Sequence, residues 1–303
     1  MKTTHWLLAT SLFALCFVST NPLAKVIHRE RSLYSTVLVD KRGDQLCMQF
    51  SVRINQRNQT CVDVRHPKRM VFSYTRMMMS GLLVNPNPKQ ILIIGLGGGT
   101  LPTALKELFP SAQVDVVEID PAVIAVAAEY FDFQEKAGLK VHAKDGRIFV
   151  KRASTGSSYD FILLDAFNGD YIPEHLLTVE FLEEVKAITN DSGVIVANTF
   201  SISDLYHHES ATYQHVFGDY YSLETPESSN RIIVATKTPL PSKEVMRANA
   251  KTLSKRLKPY SVPLIRYASQ LKISDDWQRD ARLLTDQYSP ANILRNRNSR
   301  YGQ

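Results

Sequence analysis

Residues 91–100 read ILIIGLGGGT, an apolar run that ends directly in a glycine-rich loop. The run has no polar alternation, which is typical of a strand buried on both faces of a parallel sheet. Glycines directly after such a strand permit a tight turn and let a ligand approach the backbone closely, and the N-terminus of a following helix favours negative or polar groups. The stretch therefore predicts the first strand, loop and helix of an α/β sheet with a ligand site at the strand end.

Strand and helix patterns alternate on the C-terminal side of this stretch. Further strands are expected over residues 114–120, 140–145, 161–165, 193–200 and 231–235, and helices over 101–108, 121–130, 146–151 and 178–188. Alternating strand and helix units imply a parallel, doubly wound sheet. We therefore predict that residues 89–303 form a Rossmann-like α/β domain with a mostly parallel sheet.

The N-terminal side of the stretch has a different pattern. Residues 33–39 and 46–64 are rich in β-branched and apolar residues, with turn signals at 41–44 and 55–58. A Met- and Leu-rich helix is expected over 69–84. Residues 25–88 therefore predict a small antiparallel β domain with a connecting helix.

The first 24 residues resemble a secretory leader. One lysine precedes the apolar run LLATSLFALCFVS, which is too short for a comfortable membrane span, and a cleavage site is expected after Ala24. Lys25, Arg29 and Arg31 argue in the other direction, since positive charge after an apolar run favours cytoplasmic retention. We expect export to the periplasm, with inner-membrane anchoring and a cytoplasmic location as alternatives, and membrane contact through this leader alone.

Removal of the leader would leave two cysteines, Cys47 and Cys61. In a hairpin centred near Ile54 they would lie opposite each other. A cross-strand disulfide, which an oxidising compartment permits, and a pair of ordinary half-buried thiols both stay open.

Charge and histidine content argue against two classes of function. The chain of 303 residues carries a formal net charge of +6, but its basic residues are scattered. Nucleic-acid binding is not expected without a basic patch that aromatic residues interrupt. His207 and His208 are adjacent on a polar segment without further ligands at coordinating spacing, so we expect no metal.

The ends of four successive strands carry groups that bind ligands. They are the glycine loop at 95–99, Glu118, the Asp145-Gly146 pair and Asp165. Glu118 follows the loop by about twenty residues, where an acidic side chain can accept hydrogen bonds from both hydroxyls of a ribose. A turn-capping role explains any one of these groups more easily than it explains all four.

The spacing of the glycines separates two classes of cofactor. A dinucleotide-binding enzyme requires GxGxxG to hold a pyrophosphate, whereas the third glycine here is adjacent to the second and Thr100 occupies the last position. An adenosyl sulfonium has no phosphate and needs the loop only for close approach. The pattern therefore favours S-adenosylmethionine or its decarboxylated form over NAD, and a sheet of the S-adenosylmethionine-dependent transferase type.

Four motifs in this order resemble the spermidine synthase (polyamine aminopropyltransferase) family. The motifs are IIGLGGGT, VVEIDP, KDGRIFV and YDFILLDAF. The resemblance covers residues 33–236, and LLTDQYSP at 283–290 is similar to an ending of divergent members. It implies transfer of an aminopropyl group from decarboxylated S-adenosylmethionine to a small amine, in polyamine biosynthesis, by a chain that can form a homodimer.

The resemblance implies cofactor contacts for six residues. They are Gly95, Gly97, Gly98, Glu118, Asp145 and Gly146. The three loop glycines would lie beside the cofactor, Glu118 would hold the ribose, and Asp145 with Gly146 would hold the adenine.

The resemblance also implies roles on the acceptor side. Asp165 would be the catalytic base that takes a proton from the attacking amine, and Tyr74 would help to position the polyamine. A second acidic residue usually lies three positions after the first; here that position is Asn168, and Asp170 is the nearby substrate-binding candidate.

Other departures from the family pattern reduce the expected affinity for a multiply charged amine. Thr100 replaces a loop aspartate, Arg76 lies where an acidic residue is common, and residues 225–229 lack a tyrosine found in the family. Two alternatives therefore stay open. One is a methyltransferase or another enzyme that uses intact S-adenosylmethionine, and the other is a non-catalytic exported protein that binds a nucleoside or polyamine.

Overall fold

The computed structural model describes residues 24–52, 55–153, 158–167 and 172–288. These residues form two β-sheets. The first sheet has four antiparallel strands in chain order: β1 Lys25–Arg31, β2 Thr36–Arg42, β3 Gln45–Val52 and β4 Asn55–Asp63. The prediction missed β1, because its sequence KVIHRER is mostly exposed and charged and lacks an apolar run. It also took residues 55–58 for a turn, whereas the structure includes them in β4.

Strands β3 and β4 form the hairpin expected from the cysteine spacing. Cys47 lies directly opposite Cys61 in the register, and a disulfide joins the two side chains. The structure thus favours the disulfide over two free thiols.

A short helical segment connects the two sheets. Helix α1 covers Ser73–Met78 and continues as a 3₁₀ turn over Met79–Leu83. Gly81 in this turn lies against the second sheet, where a Cβ atom would be 2.5 Å from a methyl carbon of Val196. Met77, Met78 and Met79 are fully buried, so they act as core side chains that fill irregular space.

The second sheet has eight strands in the order β12-β10-β11-β9-β8-β5-β6-β7. The strands are β5 Gln90–Ile94, β6 Gln113–Glu118, β7 Leu139–Ala143, β8 Tyr159–Leu164, β9 Thr189–Phe200, β10 Tyr221–Glu224, β11 Asn230–Thr236 and β12 Lys272–Ile273. The helices are α2 Thr100–Leu108, α3 Pro121–Tyr130, α4 Gly146–Ala153, α5 Val179–Ile188, α6 Tyr206–Phe217, α7 Lys243–Leu257 and α8 Leu264–Gln270. Strands β5 to β9 are parallel, and β10, β11 and β12 extend the sheet in antiparallel fashion.

The strand order reverses between β5 and β8. The chain passes from β5 outward to β6 and β7, then returns to the other side of β5 as β8 and β9. Open parallel sheets bind ligands at such a reversal, outside the carboxyl ends of the strands. The predicted doubly wound, mostly parallel sheet with a small antiparallel N-terminal sheet is confirmed.

The apolar core lies on both faces of the second sheet. One face packs against α2, α3, α7 and α8 through side chains such as Leu105 and Leu253, and the other packs against α5 and α6 through Phe181 and Tyr213. Helices α3, α5 and α7 begin with a side-chain cap. In α3, the Asp120 carboxylate accepts a hydrogen bond from the amide of Ala122, and Pro121 is the first helical residue. The core therefore holds the strand ends in place.

Candidate active site

A cavity of about 240 Å³ lies at the carboxyl ends of β5, β6 and β8, beneath the N-terminal sheet. It collects eight of the nine predicted site residues: Tyr74, Gly95, Gly97, Gly98, Glu118, Asp145, Gly146 and Asp165. The ninth, Asp170, lies outside the described residues. Phe50, Gln59 and Thr60 of the N-terminal sheet also line the cavity.

The three predicted glycines of the loop have different surroundings. A Cβ atom on Gly95, whose φ is +102°, would lie 2.3 Å from the carbonyl oxygen of Asp165, so the ends of β5 and β8 can approach only around a glycine. Gly98 is in similarly close contact with Thr60 of the N-terminal sheet. Gly97 has φ +53° and its nearest neighbour would be 3.8 Å away, which leaves its cavity side open to a ligand.

Glu118 at the end of β6 is half-buried, and both of its carboxylate oxygens are oriented by the backbone. One oxygen accepts a hydrogen bond from the amide of Leu96 at 3.1 Å and the other from the amide of Asp120 at 3.0 Å. Burial raises the pKa of Glu118, and these backbone hydrogen bonds oppose that rise. Each oxygen keeps a lone pair, so the carboxylate can accept two hydroxyl groups from a ligand.

Asp145 follows β7 and caps helix α4. One of its oxygens accepts a hydrogen bond from the amide of Ile148 at 2.9 Å, and the other lies 2.9 Å from Nε2 of His175. His175 also lines the cavity, and 45% of its side chain is exposed. His175 was not predicted from the sequence, because no spacing rule connects it to Asp145, thirty residues earlier.

A second residue that was missed ties the N-terminal sheet to the cavity. The hydroxyl of Ser32, in the loop between β1 and β2, donates to the Asp120 carboxylate at 2.5 Å. The same hydroxyl accepts from the amides of Tyr34 and Ser35, and both of these residues line the cavity. Ser32 thus fixes this loop over the cavity.

Asp165 follows β8 and takes part in a chain of polar contacts. Its carboxylate accepts a hydrogen bond at 2.8 Å from the amide nitrogen of Asn198 on β9, and the Asn198 side-chain oxygen accepts one at 2.9 Å from Asn230 on β11. Burial raises the pKa of Asp165 to about 7, although the hydrogen bond from Asn198 opposes this rise. A carboxyl group with this pKa can bind and release a proton near neutral pH.

Tyr74 lies on α1 beside Asp165. Its hydroxyl donates to the backbone oxygen of Gln59 on β4 at 3.2 Å. Burial, and then the negative charge of Asp165, raise the pKa of the Tyr74 hydroxyl well above its ordinary value. Tyr74 therefore stays protonated and serves as a neutral wall of the site.

A second cavity of about 300 Å³ adjoins the first. The two share Gln59, Tyr74 and Phe167, and the Asp165 hydrogen-bond partner Asn198 lines the second. Aromatic, amide and hydroxyl groups dominate its wall: Asn58, Phe72, Ser73, Phe200, Ser228, Ser229 and Asn230. Asp165 thus lines the first cavity, and its hydrogen-bond partner lines the second.

Arg76 and the 225–229 segment, two departures from the family pattern, were expected to reduce the affinity for a multiply charged amine. The structure gives both of them surroundings that do not match this expectation. The Arg76 guanidinium donates hydrogen bonds to the backbone oxygens of Met70 and Val71 and to the Ser73 hydroxyl, and it lines neither cavity. Its positive charge therefore does not face an amine substrate in either cavity. Glu227 of the 225–229 segment lines the second cavity, where its carboxylate accepts from Arg266 at 2.9 Å.

The two adjacent histidines, His207 and His208, contact backbone groups. His207 Nδ1 accepts the amide of Gln278, and His208 Nδ1 is 2.7 Å from the carbonyl oxygen of Arg282. Within the described ranges, the structure contains no cluster of three His, Cys, Asp or Glu side chains that could hold a metal ion. In the same part of the chain, no helix combines the length and the apolar character needed to cross a bilayer.

Known proteins with similar sequences share this site region. The sequence profile of the spermine/spermidine synthase domain matches residues 71–238. A polyamine aminopropyltransferase of Vibrio vulnificus (strain CMCP6) is 48% identical over 292 residues, which cover 94% of this chain and 97% of the relative. The crystal structure of a probable spermidine synthase from Corynebacterium glutamicum matches the fold with a TM-score of 0.64 at 21% identity, covering 88% of this chain and 98% of that one.

A methyltransferase is also similar to this chain. An eEF1A lysine and N-terminal methyltransferase of Xenopus laevis is 29% identical over 264 residues, which cover 80% of this chain but 38% of that protein. The matched region thus spans less than half of the methyltransferase, whereas it spans nearly the whole aminopropyltransferase.

Proposed function

Because the chain belongs to the spermine/spermidine synthase family, we propose that it transfers an aminopropyl group from decarboxylated S-adenosylmethionine to an amine in polyamine biosynthesis. The observation that carries this function is the position of the Asp165 carboxylate, which lines the first cavity and accepts a hydrogen bond from Asn198 in the wall of the second. Burial also raises the pKa of this carboxyl group to about 7. One cavity has the groups that suit an adenosyl ligand, and the other has the aromatic and polar wall that suits an amine.

The larger share of the adenosyl contacts comes from the strand ends. Glu118 has a free lone pair on each oxygen for the two ribose hydroxyls, and Gly97 leaves space for the ligand to approach the backbone. Asp145 and His175 supply an acceptor and a ring nitrogen that suit the polar edge of adenine. Gly146, whose Cβ atom would be 2.6 Å from the Ile94 side chain, holds α4 against β5 beneath that edge.

Asp165 supplies the base that the reaction needs. An ammonium group is not a nucleophile, so the acceptor must lose a proton before its nitrogen attacks the methylene carbon beside the sulfonium. The new C–N bond forms as the C–S bond breaks, the bonding electrons go to sulfur, and methylthioadenosine leaves. The Asp165 carboxylate both attracts the cationic amine and takes its proton, and the hydrogen bond from Asn198 fixes its orientation.

The second cavity fits an amine with a hydrocarbon chain. Phe72, Tyr74, Phe167 and Phe200 line it, and aromatic faces attract ammonium groups while packing against methylene groups. Glu227 supplies a carboxylate at the exposed rim. We therefore propose a diamine or a longer polyamine, with one amine at Asp165 and a distal cation toward Glu227. Asp170 stays a further candidate contact for this amine.

Product analysis tests this function directly. Purified protein is incubated with decarboxylated S-adenosylmethionine and a series of diamines and polyamines, and the nucleoside products are identified by mass spectrometry. We expect methylthioadenosine together with an amine that has gained one aminopropyl group. Absence of both products with every acceptor, from protein that nevertheless binds methylthioadenosine, would favour a non-catalytic binding protein.

Methyl transfer is the second candidate, and the similarity to the Xenopus laevis methyltransferase favours it. Thr100 begins α2 at the cavity wall, so the described residues place no carboxylate there to repel the carboxylate of intact S-adenosylmethionine. The two reactions leave different nucleosides. The same incubation with intact S-adenosylmethionine would give S-adenosylhomocysteine if methyl transfer were the activity.

We also propose that the protein is exported and oxidised. The leader-like first 24 residues and the Cys47–Cys61 disulfide support this location. Intact-mass analysis of the protein from its native host should show loss of residues up to about Ala24 and two hydrogens fewer than the dithiol form. A full-length, reduced, cytosolic protein would contradict the proposal.

A further inference from the structure

The segment Leu284–Asp286, called here the tail segment, is fixed to helices α5 and α6. The Leu284 side chain is fully buried, its carbonyl oxygen accepts from the amide of Val179 at 2.8 Å, and its amide donates to the Thr212 hydroxyl at 3.0 Å. The segment belongs to the LLTDQYSP motif, for which neither the proposed chemistry nor the fold has so far required a role.

The carboxylate of Asp286 forms a two-point contact with Arg147 on α4. The two guanidinium nitrogens donate to its oxygens at 2.6 and 2.7 Å, and the Thr178 hydroxyl donates to one of them at 2.8 Å. The other edge of the guanidinium makes a second two-point contact with Glu184, at 2.8 and 2.9 Å. Arg147 is therefore held on both sides. Such two-point contacts fix the orientation of the guanidinium and also stabilise its charge.

Arg147 connects the tail segment to the adenine end of the first cavity. It directly follows Gly146, and its guanidinium also contacts the backbone oxygen of His175 at 3.4 Å. Asp145, Gly146 and His175 line the cavity, whereas Arg147, Glu184 and Asp286 line neither cavity. The Asp286–Arg147 contact therefore holds together two elements, α4 and the turn around His175, whose side chains meet in the cavity.

We propose that the tail segment is a clamp for the nucleobase end of the cofactor cavity, and that Asp286 is a positioning residue that acts on Asp145 and His175 through Arg147. The proposal deepens the proposed function and rests on it, because it takes the ligand of this cavity to be an adenosyl compound. The clamp fixes the 2.9 Å contact between His175 and Asp145, which sets the width of the slot available to an adenine.

Substitution of Asp286 tests the clamp. Asp286→Asn keeps the size of the side chain but loses the charge that holds both guanidinium nitrogens. We expect the dissociation constant of methylthioadenosine and the KM of the aminopropyl donor to rise about ten-fold, since small misplacements at a distance have effects up to roughly hundred-fold. The KM of the amine acceptor should stay unchanged, and Asp286→Glu should recover part of the lost affinity.

Asp276→Asn is the matched control. Asp276 also accepts from one cation and one hydroxyl, Lys272 and Tyr206, at 2.8 Å each, and its side chain is 39% exposed against 40% for Asp286. Neither of its partners lines a cavity. Binding is measured at a temperature where circular dichroism shows all variants folded. Equal affinity of Asp286→Asn and wild type would overturn the clamp, whereas failure of wild type to bind any adenosyl ligand would overturn the proposed function instead.

Hydrogen exchange of the wild-type protein gives a second test that does not depend on a folded variant. Coupling between two sites is reciprocal, so a ligand that needs the clamp must also stabilise it. Methylthioadenosine should slow exchange in peptides that cover residues 284–288, although these do not touch the ligand. Slower exchange in the glycine loop with unchanged exchange at 284–288 would contradict the proposal.

Discussion

At the scale of single residues, the fold gives different pKa values to the carboxyl groups in and beside the site. Asp165 has a pKa near 7 because burial outweighs one hydrogen bond from Asn198. The Asp286 carboxylate has a lowered pKa, since the Arg147 guanidinium stabilises its charge. One carboxyl group is thus able to exchange a proton near neutral pH, and the other serves as a permanent negative charge.

The first prediction concerns Asp165→Asn. The substitution removes the proton acceptor but keeps the size of the side chain, so the transfer rate should fall by about 10²–10⁴ while methylthioadenosine binding is nearly unchanged. Asp160→Asn is the control, because Asp160 lies at the start of β8, the strand that Asp165 follows. There its carboxylate accepts hydrogen bonds from the amides of Lys89 and Gln90. Asp160→Asn should lower stability with little effect on turnover. A transfer rate that survives Asp165→Asn would exclude Asp165 as the base and turn attention to Asp170.

The second prediction concerns pH. The base works when it is ionised, so kcat/KM should rise with pH and level off above about 7, and Asp165→Asn should lack this rise. Stability has the opposite dependence. Since the pKa is raised in the folded state, the folded protein holds its proton more tightly than the unfolded chain, and stability falls as pH rises through about 7. The gain in Tm from Asp165→Asn over wild type should therefore be larger at pH 8 than at pH 5. An equal gain at the two pH values would contradict a raised pKa for Asp165.

The third prediction concerns the ribose contact. Glu118→Gln replaces a charged acceptor by an amide, and hydrogen bonds to charged groups contribute roughly 1.5–3 kcal/mol. Calorimetry should show weaker binding of methylthioadenosine with the fold retained. Glu135→Gln is the control, since Glu135 also accepts a backbone amide, that of Val141, but lies outside the cavity. Unchanged affinity in Glu118→Gln would contradict the assigned contact.

At the scale of elements, the β3–β4 hairpin carries cavity residues and is closed by a disulfide. Gln59 and Thr60 line the first cavity immediately before Cys61, which is bonded to Cys47 across the hairpin. The bond therefore stabilises a strand that forms part of the cavity wall.

The fourth prediction concerns this disulfide. Replacing Cys47 and Cys61 by serine releases a loop with a sequence separation of 14, for which chain entropy predicts a loss of about 3 kcal/mol. Guanidinium denaturation should show the lower stability. Dithiothreitol should destabilise the wild type to a similar extent and leave the serine variant unchanged. Equal stability of wild type with and without dithiothreitol would mean that the bond does not contribute.

The sequence predicted some elements of the fold much better than others. The strand ends at Gly95, Glu118, Asp145 and Asp165 were predictable, because parallel strands are continuous apolar runs and their last residues face the ligand. Strands β1, β10 and β12 were not predicted, since short or charged antiparallel strands gain their stability from neighbours that are distant in sequence. The same limit explains why His175 and Ser32 were not found, since each depends on a contact with a residue that is distant in sequence.

At the scale of the whole molecule, the two sheets enclose the cofactor cavity from opposite sides. The second sheet supplies the strand ends, and the N-terminal sheet supplies Thr60 and the loop fixed by Ser32. The contact between Ser32 and Asp120 spans 88 positions in the chain. This contact therefore holds the loop of the first sheet against the second sheet beside the cavity.

The fifth prediction concerns this contact. Ser32→Ala removes a hydrogen bond to a carboxylate and should speed the release of methylthioadenosine about 15-fold, which corresponds to the lower end of the roughly 1.5–3 kcal/mol that hydrogen bonds to charged groups contribute. Stopped-flow fluorescence measures the release rate. Ser192→Ala is the control, since the Ser192 hydroxyl donates to the side chain of Asn190 and Ser192 lines neither cavity. Identical release from both variants would show that the loop does not retain the ligand.

The distance along the chain between Arg147 and Asp286 has a consequence for biosynthesis. The two partners are 139 residues apart, and a ribosome adds about 5–20 residues per second, so Arg147 precedes its partner by roughly 7–28 s. From the synthesis of Phe200 onward, the nascent chain contains all five parallel strands but still lacks the clamp. A polypeptide released early, before the tail segment, would then fold its sheets but bind the nucleoside more weakly than a completed chain.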